Sequence, residues 1–298
     1  MSVLEVLFSG QLLFAALLTA SVYAIVAVGL NMTYGTMRLL NVAHGDLVMI
    51  GAYAAYWLFT GLGIAPLWSA IVVTLACALL GVLLYSGLLK NLMARAGGTA
   101  RLEANSLLLF FGLSMIIQNV MVSVETATPR AYQYLSEIHR FGGLSMTGNR
   151  LAALAVAILA CLAIAAFLRW NIFGLALRAV IERSDAARIV GVNVEQVHKV
   201  SLAIGFGAAG LAGVLISMME QFSPFIGFSM TIAAFIVIIL GGLGNIAAGF
   251  GAALILGLLE TYGVALTSPT LRSVLLYGVF VLTLILLPQG LFRRRLGP

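Results

Sequence analysis

The sequence predicts an all-α, polytopic membrane bundle of about eight or nine transmembrane helices, in one domain covering residues 1–298. Three observations predict it. Charged residues make up 9% of the chain and hydrophobic residues 62%, where a soluble domain carries about 25% charged residues. Mean hydropathy is +1.11. Apolar runs of about 20 residues, enough to cross a bilayer, recur along the whole chain. The short alternating strands of a membrane β-barrel are absent, and a water-soluble core is excluded by the same composition.

In order, a first helix is expected over 11–34, a second over 44–60 and a third over 66–89, each an apolar run bounded by polar residues. A basic loop, 90–103, follows with Lys90, Arg95 and Arg101. The fourth helix is read over 105–124, then a longer polar segment of mixed sign over 125–150, then the fifth helix over 151–168. A polar stretch, 169–199, stands in the middle of the chain. The sixth helix is placed at 200–219. A short seventh at 225–240 ends in the glycine-rich run 241–245, the eighth covers 246–266 and the ninth 271–287. Before the first run there is no Lys or Arg and no small-residue cleavage site, so the first helix is expected to insert as its own signal and stay.

Charge sets the orientation. The net charge of +6 lies in short loops, which points to loops retained inside rather than to nucleic acid. With the C-terminal arginines inside, Arg38, Lys90, Arg95, Arg101, Arg169, Arg178, Arg183, Arg188, Lys199, Arg293, Arg294 and Arg295 share that side. Arg130, Arg140, Arg150 and Arg272 fall outside. The bias supports an odd number of crossings, and a re-entrant pair would change the count without moving the central stretch. Residues 41–45 and 245–249 share the pattern N-x-A-x-G, each opening an outward-going helix, as a parallel repeat would; chance similarity in a Gly- and Ala-rich chain gives the same echo. Cys77 and Cys161 lie inside apolar runs and read as buried thiols, with no metal-ligand spacing.

The central stretch has readable physics. Ser184 is a good N-cap, and Asp185 sits where the helix dipole favours an anion. Ala186 and Ala187 are strong helix formers with minimal side chains. Gly191 can take the left-handed conformation that closes a helix. The product is a helix of about two turns, too short to be stable alone in water. It is expected to pack on something, with small residues admitting a partner and Glu182, Arg183, Arg188 and Glu195 forming a polar rim. An ordinary loop with one helical turn is the competing reading. The chain has no G-x-x-x-x-G-K-[ST] run, so ATP binding of the usual kind is not expected.

Three stretches together resemble the permease subunits of branched-chain amino-acid ABC importers, of the smaller of the two permease types. They are NVAHGDLVMIGAY at 41–53, RAVIERSDAARIVGVNVEQVHK with the later FGAAGLAGVL, and GGLGNIAAGFGA at 241–252. The resemblance covers essentially the whole chain. It departs from other ABC importers in having Asp185 in place of Glu and no Leu-Pro after Gly191. It implies a multi-pass subunit of a bacterial inner membrane with a periplasmic N-terminus and a cytoplasmic C-terminus. Its partners would be a second homologous permease chain, two cytoplasmic ATPase subunits and a periplasmic substrate-binding protein. It implies that this chain binds no cofactor, with ATP and Mg used by the ATPases. It also implies that Glu182, Ser184, Asp185, Ala186, Ala187, Arg188 and Gly191 form the coupling helix. The cargo implied is leucine, isoleucine or valine, while relatives carry urea, short amides or aromatic acids.

Polar groups inside membrane helices ask for a functional reading. The pathway candidates are Asn31, Asn41, His44, Gln118, Glu220, Gly242 and Asn245. For Asn31, Gln118 and Asn119, hydrogen bonding between helices is the competing reading. Asp46 could satisfy a helix start or serve a gate. Glu220, at the outer end of its helix, reads as an interface carboxylate or a partner for a substrate ammonium. Gly241, Gly242 and Gly244 could free backbone groups to line a cavity or make a tight turn. Gly205, Gly207, Gly210 and Gly213 predict close helix approach. Two other classes remain open: an ion-coupled carrier using Glu260, and an intramembrane enzyme using His44 and Asp46, for which no nucleophile or metal trio is visible.

Overall fold

Two interlocked triplets of helices position everything else. The structure, a computed structural model, describes residues 9–95, 97–141, 144–287 and 290–291. The first eight residues and Arg293, Arg294 and Arg295 lie outside them. Among the described residues, seven helices are long and apolar enough to cross a membrane, and Ile226–Gly241 is a shorter apolar one.

Helix α1 is Gly10–Met37, 28 residues long and buried on every side over its second half. Ser9 caps its start by accepting the Leu12 N–H, and Arg38 ends it in the left-handed conformation (φ 54°). Helix α2, His44–Leu62, does not begin at the end of α1. His44 Nε2 lies 3.0 Å from the Val26 carbonyl, which at 1.5 Å per residue is about 16 Å back along α1. The segment 38–43 therefore re-enters the bundle. Helix α3, Pro66–Arg95, is continuous through a π turn at Tyr85–Leu89.

The second triplet repeats this plan upside down. Helix α7 is Val194–Met219, capped by Asn193. It runs antiparallel to α1: His198 Nε2 is 3.1 Å from the Thr36 carbonyl, and Gly205 meets Gly29 backbone to backbone. Residues 220–225 re-enter, and helix α8, Ile226–Gly241, starts deep in the bundle beside the start of α2. Helix α9, Ile246–Leu266, follows, with Asn245 as its cap. The packing is exchanged between the halves. Helix α3 lies on α7, where Gly81 meets Leu202 and Gly210 meets Cys77, and α9 lies on α1, where Gly257 meets Ala20. The parallel repeat suggested by the N-x-A-x-G echo is thus corrected to an inverted one. Asn41 belongs to a re-entrant segment and Asn245 to a turn, so the shared letters do different work.

The remaining elements are peripheral. Helix α4 is Thr99–Glu125, so the basic loop at 90–103 is mostly helical; KNLMAR consists of good helix formers apart from its asparagine, and the described break is Gly97 and Gly98. The segment after α4 contains an unanticipated antiparallel hairpin, β1 (Ile138–Phe141) and β2 (Leu144–Thr147), paired His139 to Met146 and Arg140 to Ser145. Helix α5 is Gly148–Trp170. The central stretch is mostly helix α6, Ile172–Ile189, started by Asn171. Helix α10, Arg272–Leu286, is the last helix among the described residues. Cys77 is buried as expected, but Cys161 is only half-buried.

Contacts sort the charged residues onto two ends. At the α6 end, Lys90 pairs with Glu195 and the Tyr34 hydroxyl reaches Glu103. At the hairpin end, Arg130 pairs with Phe222 through the backbone and Arg272 with Glu220 through side chains. Arg38, Lys90, Arg95, Arg101, Arg169, Arg178, Arg183, Arg188 and Lys199 belong to the first end, and Arg130, Arg140, Arg150 and Arg272 to the second.

Candidate functional site

Three places could carry function: the tip of α6, the junction of α2 with α8, and a charged cluster at the hairpin end.

At the α6 tip the helix is broken by Arg183, whose φ of −152° and ψ of 102° are extended. Arg183 therefore takes the flanking position that the sequence assigned to Ser184, and Ser184 is the first residue of the short second segment. That segment closes as anticipated: the Gly191 N–H bonds the Arg188 carbonyl, the Val192 N–H bonds that of Ala187, and Gly191 has φ +86°. Ala187 is the main correction. It is only 3% exposed and packs with Val28, Met32, Leu168, Leu177, Val180, Val194 and Val197. One alanine anchors the segment, and the other faces out. Glu182, Asp185, Ala186 and Arg188 are exposed, together with two residues the sequence reading passed over, Ile189 at 87% and Val190 at 76%. Two β-branched apolar residues directly after a charged helical turn were the available signal. Beside them Glu195 bridges Lys90 and Lys199 at 3.0 and 3.1 Å.

At the junction, two half-helix starts meet. A Cβ on Gly45 would stand 1.9 Å from the Gly227 carbonyl oxygen, and one on Gly227 would stand 2.4 Å from Asp46 Oδ1. The Gly45 N–H donates to Thr231 Oγ1, which itself donates to the Val42 carbonyl. Gln118 reaches across from α4 and donates to Asp46 Oδ1 at 3.0 Å, the bond that the interhelical reading describes. Asn119, in contrast, bonds the Met115 carbonyl of its own helix. Asn31 Oδ1 accepts the Gly244 N–H at 2.8 Å, tying α1 to the α8–α9 turn. That turn is tight, with φ +95° at Gly242 and +83° at Gly244, and the Asn245 side chain accepts the Ala248 N–H. Among the described residues Asn41 Oδ1 and Nδ2, His44 Nδ1 and Asp46 Oδ2 are buried without a protein hydrogen-bond partner.

At the hairpin end, one arginine gathers four elements. Arg272 Nε lies 2.5 Å from Glu260 Oε1, and the Tyr23 hydroxyl donates to Glu260 Oε2 at 2.5 Å. Arg272 Nη1 reaches Glu220 Oε2 at 3.4 Å. Glu220 is exposed at this end, as read. Glu260, the carrier candidate, is buried as that reading asked, but it is paired with Arg272 and Tyr23 among the charged residues of the hairpin end. Sequence reasoning missed Tyr23 and Arg272, because their neighbours come from distant parts of the chain. No group of His, Cys, Asp and Glu among the described residues could hold a metal ion.

The chain matches the family model of the permease component of the branched-chain amino acid transport system over residues 12–284. It is 29% identical over 295 residues to the high-affinity branched-chain amino acid transport system permease protein LivH of Salmonella typhimurium, covering 95% of each chain. It is 29% identical over 296 residues to the corresponding permease BraD of Pseudomonas aeruginosa, again covering 95% of each. A probable branched-chain amino acid transport permease of Methanocaldococcus jannaschii is 27% identical, over 94% of this chain and 91% of that one. No solved structure matches.

Proposed function

Because the chain belongs to the family of permease components of branched-chain amino acid transport systems, we propose that it is the translocation subunit of an ABC importer for branched-chain amino acids. The carrying observation is the α6 tip, where Ile189 and Val190 project from an otherwise charged segment that Ala187 pins to the bundle. Exposed apolar side chains on a short, anchored helix suit a groove on a soluble partner, and the partner proposed is an ATPase subunit. Ser184–Gly191 then acts as the coupling helix, with Glu182, Asp185 and Arg188 as its polar rim. ATP and Mg are used by the ATPases.

In this reading the α6 end is cytoplasmic and the hairpin end periplasmic. The division of basic residues between the two ends supports that orientation. The N-terminus of α1 is then periplasmic, the binding protein docks at the hairpin end, and a second homologous permease completes the pathway in the bacterial inner membrane. Asn31, Gln118, Gly242 and Asn245 make bonds or turns in the chain's interior, Asn41 and His44 bring unpartnered polar atoms to the proposed pathway, and Glu220 stands nearest the point of substrate entry.

The test is uptake of labelled leucine by proteoliposomes holding the assembled complex. Uptake should require the ATPases and the binding protein. Ile189→Asp should leave the permease folded while lowering uptake at least about tenfold, equivalent to roughly 1.4 kcal/mol of interface free energy. Uptake by the permease alone, or normal uptake by Ile189→Asp, would sink the reading.

A further inference from the structure

The charged cluster at the hairpin end borders a cavity of about 320 Å³. The two bonds of Arg272 differ in kind. Its contact with Glu260 is short, and that carboxylate is buried with both oxygens occupied, so breaking it would strand a charge. Its contact with Glu220 is long, 3.4 Å, between half-exposed side chains, and pairs of this type hold weakly. Arg272 is therefore fixed by one edge and offers the other to the cavity. Tyr23 and Glu260 are its positioning residues.

The first turn of α8 lines the same cavity, with Ser229 in its wall. Phe225 gives α8 no side-chain cap, so the positive end of the helix dipole borders the same space. An apolar part of the wall is formed by Met230, Leu276 and the ring of Tyr277, and Gln221, Ser223 and Ser273 complete it with polar groups. The volume is of the size that holds a small ligand. The cavity thus presents an anion-binding edge, one loosely held carboxylate and an aliphatic wall. A free α-amino acid with an aliphatic side chain carries the three complements.

We infer that this cavity is an amino-acid subsite of the permease. The ligand's α-carboxylate takes the free edge of Arg272 in place of Glu220. Glu220, released, pairs with the α-ammonium, and the side chain lies on Leu276 and Met230. One weak ion pair opens and two form, so charge stays balanced. The inference rests on the importer reading and locates where arriving substrate is first held.

The test is saturation-transfer NMR on the assembled permease in nanodiscs without binding protein, using L-leucine, L-leucinamide and 4-methylpentanoate as probes. Leucine methyls should show transfer, and each analogue should bind at least about tenfold more weakly, as when one partner of a charge pair is removed. Glu220→Gln should erase the preference for leucine over 4-methylpentanoate, and Ser229→Leu should abolish contact by filling the cavity. Arg272→Gln strands Glu260, so these two variants carry the decision. Unchanged leucine transfer in both, or equal transfer to leucine and 4-methylpentanoate in the unaltered chain, overturns the subsite. ATP-driven uptake by the same complex in proteoliposomes separates the two claims. Uptake without permease contact overturns the subsite alone; contact without ATP-driven uptake overturns the importer reading and leaves the subsite.

Discussion

The α2–α8 junction and the α6 tip are opposites in packing. At the junction, glycines admit backbone to within contact of backbone, and a single added carbon has nowhere to go. At the tip, large apolar side chains have no neighbour to pack on. The first region is filled by the chain's own atoms and the second is not. Chain interior and docking surface can thus be told apart by asking which residues a substitution would crowd and which it would merely recolour.

The comparison breaks most directly at Gly45. Gly45→Leu should cost at least about 3 kcal/mol, since overpacking against backbone cannot be relieved by a side-chain shift. The expected outcome is loss of monodisperse protein on size-exclusion chromatography; a folded variant would show that the junction is slack. Asp46→Ala comes next. It removes the acceptor of Gln118, which keeps only Ser114 Oγ at 3.0 Å. It should lower stability by about 1–3 kcal/mol, read by thermal unfolding in detergent. Asp46→Asn, which keeps an acceptor, should lose less. Glu195→Gln should do less again. It weakens two exposed ion pairs that solvent screens, and should shift the midpoint by no more than about 3 °C. Smallest of all is Ile189→Asp, which should stay within about 0.5 kcal/mol of the unaltered chain, as surface changes do. A stability loss there would mean the tip is buried after all and would merge the two regions.

Much of this fold was legible because apolar runs are long and their ends carry chemistry. The run at 246–266 was read correctly at both ends, with Asn245 before it. Gly191 was legible as a helix stop because its role is local. What was not legible depends on distant partners. Segment 38–43 falls between the first two expected helices with no mark of its own, and Val26 and Thr231, far along the chain, show that it dives inward. Ala186 and Ala187 are identical letters, and their opposite fates depend on Val28 and Val194. Arg272 read as an outside charge because nothing near it in sequence announces Glu260 or Glu220. The π turn at Tyr85–Leu89 has no signature that distinguishes it from ordinary helix.

The exchanged packing of the two triplets bears on how the chain is made. Helix α1 leaves the ribosome well before the surfaces that cover it, α7 and α9. Until then Asn31, whose Oδ1 takes the Gly244 N–H, sits in lipid or in the insertion machinery with an unmet polar group, a state that is costly and prone to misassembly. Final closure must therefore wait for translation to pass about residue 266, and neither half should survive as a fragment expressed by itself.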